Sequence, residues 1–74
     1  MPIENLTLGE IYLFTIRSPV QPLRVRAVFL GLASRGRGKP MAVQMRAIEV
    51  NGLRVGQRRD GAFSMREIQE ITEA

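Results

Sequence analysis

Along most of this chain apolar side chains alternate with polar ones or run in short β-branched and aromatic stretches, and helical spacing is rare. Such runs, bounded by Gly, Pro and Asn, predict strands. Ile11 to Ile16 follows Gly9, stops at Arg17-Ser18-Pro19, and forms a first strand. Pro19 and Pro22 lack the N–H a ladder needs and force extended or turn geometry on the residues before them, so residues 17 to 23 are a loop. Arg24 to Leu32 is a second strand, with Arg24 and Arg26 on one face and Val25, Ala27 and Phe29 on the other. The loop Ser34-Arg35-Gly36-Arg37-Gly38-Lys39-Pro40 leads to a long third strand, Met41 to Val50.

That strand ends at Asn51-Gly52, the preferred two-residue hairpin turn, because both central residues need positive φ and the turn's twist matches that of the strands. The expected register sets Val50 opposite Leu53, Glu49 opposite Arg54 and Ile48 opposite Val55. Continued backwards, the alternation puts Gln44 and Arg46 on the apolar side and Met41, Val43 and Met45 on the other. The phase has slipped. Either a β-bulge lies near Arg46-Ala47, or the third strand is apolar on both faces because something covers the outside. Further on, Ser64-Met65-Arg66-Glu67 is a capping box, with Phe63 and Ile68 as its hydrophobic staple, so a helical turn starts at Met65. Ile68 to Thr72 then suits a short closing strand; the competing reading is a nine-residue helix. The strand is favoured because four strands alone leave open edges.

The order of strand, longer loop, strand, loop, strand, Asn-Gly hairpin, strand, helical turn and short strand resembles the five-stranded SH3-like small barrel. The resemblance covers residues 9 to 72 and implies an all-β, single-domain chain with one short helical turn near its C-terminal end. It implies no function, since many activities share that fold. Polyproline recognition of the kind some SH3-like domains perform needs an aromatic-lined groove. Here Tyr12, Phe14, Phe29 and Phe63 are the only aromatics, and there is no Trp.

Composition narrows the function. The 74 residues hold 45% apolar side chains, no Cys and no His, which removes thiolate chemistry, the commonest general base and the commonest metal ligands. Surface scaling allows a chain of this mass to bury only about 60% of its unfolded area, a thin core. Glu67, Glu70 and Glu73 recur every three residues as a solvated face, no hydroxyl has a base beside it, and oxygen ligands do not cluster. The expectation is no enzyme, no cofactor and no metal. An acid at Glu4, with no long apolar run, predicts a cytoplasmic protein without a membrane span.

Charge supplies the positive signal. Residues 17 to 59 hold ten basic side chains against one acid, Glu49, a net +9 between acidic ends, and ten of the chain's 11 basic residues are Arg. Arg forks onto phosphate and stacks on bases where Lys acts as a hydrated point charge. Arg24, Arg26, Arg35, Arg37, Lys39, Arg54, Arg58 and Arg59 are the candidate nucleic-acid contacts, with DNA or RNA as the partner. Arg35-Gly36-Arg37-Gly38-Lys39 suits a phosphate backbone. It is no nucleotide-binding P-loop, because Lys39 leads into Pro40 and a strand. The alternative is an assembly module: Val28, Leu30, Met41, Val43 and Met45 on outer strand faces predict a homo-oligomer or a protein partner.

Overall fold

A computed structural model describes all 74 residues, the side chains of Arg58 and Arg59 excepted. It is all-β. A 3₁₀ turn, Ile3–Asn5, precedes five strands: β1 Ile11–Ile16, β2 Leu23–Ala33, β3 Ala42–Val50, β4 Leu53–Ser64 and β5 Ile68–Glu73. Among the described residues no helix is long and apolar enough to cross a membrane. The strands form one antiparallel sheet in the order β4-β3-β2-β1-β5. Closure into a barrel does not follow from that order, because β4 and β5 are its two edges and the sheet stays open. The expected helical turn after β4 is also corrected. Glu67 N–H donates to the Ser64 carbonyl (2.9 Å) and a single turn leads straight into β5. The capping box works over this short distance: Ser64 N–H donates to Glu67 Oε1 (3.4 Å), and Arg66 N–H to Ser64 Oγ (3.2 Å).

Alternation explains the core. Tyr12, Phe14 and Ile16 of β1, Val25, Ala27 and Phe29 of β2, and Ile71 of β5 are all buried on one side of the sheet. Phe14 faces Val25 on one neighbour and Ile71 on the other. Tyr12 meets Phe14 edge to face, with ring centroids 6.3 Å apart, and its hydroxyl accepts the Thr7 N–H at 2.8 Å. A buried phenol is thereby satisfied.

The phase slip in β3 is a bulge, one position beyond the expected one. Ala47 pairs with Ala27 and Glu49 with Arg26, which leaves Ile48 without a partner in the register. The extra residue lets Val43, Met45, Ala47 and Val50 all face the core while Glu49 points outward. This overturns two interface assignments. Val43 is fully buried and Met45 is 1% exposed, so neither offers a surface to a second copy; Val28 and Leu30 are half-buried and Met41 is exposed. Beside the bulge β4 runs long, since Glu49 and Arg46 of β3 pair with Arg54 and Asp60. Val50 opposite Leu53 and Glu49 opposite Arg54 agree with the expected hairpin, whereas Ile48 opposite Val55 does not.

The hairpin turn adopts the positive φ that its residues favour, 51° at Asn51 and 82° at Gly52. Asn51 does a second job. Its N–H donates to the Arg24 carbonyl (2.8 Å) and its Oδ1 accepts the Arg24 N–H (2.9 Å), so the tip of β3 and β4 is fastened to the start of β2. Replacing Asn51→Ala combines strain at positive φ with the loss of one hydrogen bond, an expected loss of about 1–2 kcal/mol. At about 4–8 °C per kcal/mol, calorimetry should find the melting point lowered by roughly 5–15 °C. Asn51→Gly, which keeps the backbone freedom, should lose less. An unchanged melting point in Asn51→Ala would remove the fastening role.

The accessible surface, 5222 Å², exceeds the roughly 4,600 Å² that scaling gives a compact monomer of this mass.

Candidate nucleic-acid interface

Strand alternation turns Arg24 and Arg26 away from the core, because Val25 and Ala27 between them are buried in it. Register then sets their neighbours. Across the outer face, Leu13 of β1 stands beside Arg26 of β2, Arg26 beside Glu49 of β3, and Glu49 beside Arg54 of β4. Thr15 stands beside Arg24 in the adjoining row. An Arg26 guanidinium nitrogen lies 3.6 Å from Glu49 Oε1, with the two side chains 47% and 33% exposed. A pair this wet adds about 0–1 kcal/mol. Its larger consequence is chemical: the only acid in the basic segment sits between Arg26 and Arg54 and partly neutralises them.

Leu13, Arg24, Arg26 and Glu49, with Asn51 and Gly52, line an open depression of ≈ 430 Å³. Arg24 and Arg54 are exposed. The Asn51 fastening fixes the backbone from which Arg24 projects. Leu13 gives the floor an apolar patch.

The outer face continues along β2 and β3 with a different arrangement. Arg46 holds Asp60 in a fork, Nε to Oδ1 at 2.7 Å and Nη2 to Oδ2 at 3.2 Å. This hydrogen-bonded carboxylate raises the Arg46 pKa above its ordinary value, mainly through the side-chain bond and then through charge. The guanidinium is thereby occupied and contributes little free positive charge.

At the far end of β2 and β3 lies the loop of Arg35, Arg37 and Lys39, all three exposed. Gly36 and Gly38 take positive φ, 114° and 76°, which lets this short loop reverse the chain. Arg35 Nη2 donates to the Ala62 carbonyl of edge strand β4 (3.3 Å), tying the loop to the sheet. The structure therefore brings Arg24, Arg26 and Arg54 together and leaves Arg35, Arg37 and Lys39 as a separate cluster. From Arg26 to the loop is roughly 25 Å along β2, at about 3.3 Å per residue. Arg58 and Arg59, also expected as contacts, have side chains outside the described residues.

Two participants were not legible as such. Glu49 looked like a hairpin partner and is also the counterion of Arg26; Asn51 looked like a turn residue and is also the support of Arg24. The Asn-Gly signal fixes the turn and says nothing of which strand its tip will reach.

A second crevice, ≈ 290 Å³, lies between Met1 and Ile3 on one side and Met65 and Ile68 to Ile71 on the other. Its charged groups are the Glu70 carboxylate and the Met1 α-ammonium, which donates to the Ile71 carbonyl at 3.1 Å. Among the described residues, no three acidic side chains converge as a metal site.

Compared with known proteins, the chain matches no family model, no curated protein and no solved structure.

Proposed function

We propose that this chain is a small, single-domain, non-enzymatic nucleic-acid-binding protein with the strand order of an SH3-like barrel. Arg24, Arg26 and Arg54 serve as one set of phosphate contacts and Arg35, Arg37 and Lys39 as a second. The observation that carries the reading is the meeting of Arg24 and Arg26 on one depression, with Arg54 beside Glu49 on the adjoining strand, on a sheet face whose opposite side holds the core. Exposed guanidinium groups with little internal neutralisation are an electrostatic footprint for a polyanion.

With Glu49 cancelling one of the six cations, about five phosphates are neutralised. Counterion release then predicts that log affinity for a duplex falls against log salt with a slope of about −4.5. Fluorescence anisotropy with labelled oligonucleotides at two salt concentrations measures it. No binding at about 50 mM salt would overturn the reading.

A second reading, an assembly module, is favoured by the surface excess and by the open edges of β4 and β5. Its apolar surface is narrower than the sequence suggested: Ile11 stands beside Val28 on the outer face, with Leu30 further along β2. In the same titration, salt-insensitive self-association with no oligonucleotide bound would select it.

A further inference from the structure

Resting on the nucleic-acid reading, we infer that the partner is a nucleic-acid duplex, gripped through its backbone by both arginine clusters at once. Three observations meet here. First, no aromatic ring is free to stack on a base. Tyr12, Phe14 and Phe29 are buried, and Phe63 is half-buried against the core, opposite Val43. Proteins that bind single strands without sequence preference rely on stacking successive bases on aromatic rings. The arginine-bearing face offers charge and hydrogen bonds, with Leu13 as its apolar patch.

Second, charge alone favours the duplex. Its phosphates arrive one per about 1.7 Å of axis, twice the density of either strand by itself, and its affinity responds more steeply to salt, at about −0.9 against −0.7 per contact. A site that reads only charge gains most from the denser array.

Third, the clusters sit at opposite ends of β2 and β3, separated by Val28, Leu30, Gln44 and the Arg46–Asp60 fork. Roughly 25 Å, at about 3.3 Å per residue of strand, corresponds to about seven base pairs of axis. A duplex is stiff over about 150 base pairs and spans that distance without being ordered. A single strand has to be stretched between the clusters with no aromatic ring to compensate. The contacts fall on phosphates, so they carry no base preference.

The test is anisotropy at about 50 mM salt with a labelled 20-base-pair DNA duplex and with each of its strands alone. The duplex should bind at least about tenfold more tightly, with the steeper salt slope. The triple variant Arg35→Gln, Arg37→Gln, Lys39→Gln should bring duplex affinity down close to that of the single strand, because only the duplex engages both clusters. Equal or tighter binding of the single strands overturns the inference and leaves the nucleic-acid reading standing. A variant that keeps the full duplex preference overturns the two-cluster grip. Binding of neither probe overturns both the inference and the reading beneath it.

Discussion

Truncation of Phe14 to alanine is expected to remove a large part of the chain's stability. Phe14 is fully buried on β1, between Val25 and Ile71 on the adjacent strands and with the Tyr12 ring set edge to face. Removing a buried Phe costs about 3–5 kcal/mol, the lost transfer free energy plus the cavity left behind. A domain of this size holds roughly 4–11 kcal/mol in total, at about 0.05–0.15 kcal/mol per residue. The loss therefore consumes much or all of the stability. The neighbours have little freedom to collapse into the gap, since Ile16, Val43 and Met45 are already packed with almost no exposure. Far-ultraviolet circular dichroism and urea titration give the readout. Phe14→Leu keeps most of the volume and should remain folded with a lower midpoint. A Phe14→Ala variant with a wild-type midpoint would show that the core is centred elsewhere.

The second large effect concerns the sign of charge around the depression. Replacing Arg24→Gln and Arg54→Gln together removes two exposed cations and leaves the Arg26–Glu49 pair intact, so no carboxylate is stranded. At about 50 mM salt, nucleic-acid affinity should fall roughly 10- to 100-fold, and the salt slope should become shallower by about 1.8. Glu49→Gln should act in the opposite direction. It releases Arg26 from its counterion, so affinity should rise and the slope steepen by about 0.9. Neither change should shift stability by more than about 1 kcal/mol, because Arg24 and Arg54 are exposed and the Arg26–Glu49 pair that Glu49→Gln breaks is partly so. Opposite signs from neighbouring residues distinguish an anion site from general damage to the fold. If Glu49→Gln binds no more tightly than the native chain, Glu49 is not competing with a bound phosphate.

Much of the architecture was legible in the chain. The first strand was placed at its observed limits, and the Asn-Gly turn came with its first two cross-strand pairs, because these features depend on neighbours in sequence. Arg24 and Arg26 lie outside for the same reason: a two-residue alternation beside Val25 and Ala27 leaves them no other face. The choice of a strand for residues 68 to 72 was also correct, since Ile71 supplies the wall of the core beside Phe14.

The outer face was misassigned where one residue changes the phase. Val43 and Met45 looked like an outer face because alternation was counted back from the hairpin through Ile48, and a bulge there reverses every side chain beyond it. The slip itself was visible in the pattern, but its position was not, since a bulge is set by how a long strand bends against two neighbours at once. For this reason the predicted oligomer surface lost its two most buried members.

By itself the sequence determined an all-β chain, its strands and turn, the arginine-rich middle and the absence of Cys and His, all of which follow from composition and local spacing. The tertiary structure alone decided that Arg24, Arg26 and Arg54 gather at one end of the sheet while Arg35, Arg37 and Lys39 lie at the other. It alone gave Glu49 and Asn51 their second roles, and it alone left β4 and β5 as open edges. The physical reason is that register between strands distant in sequence is fixed by packing of the whole core, and register determines which charges meet.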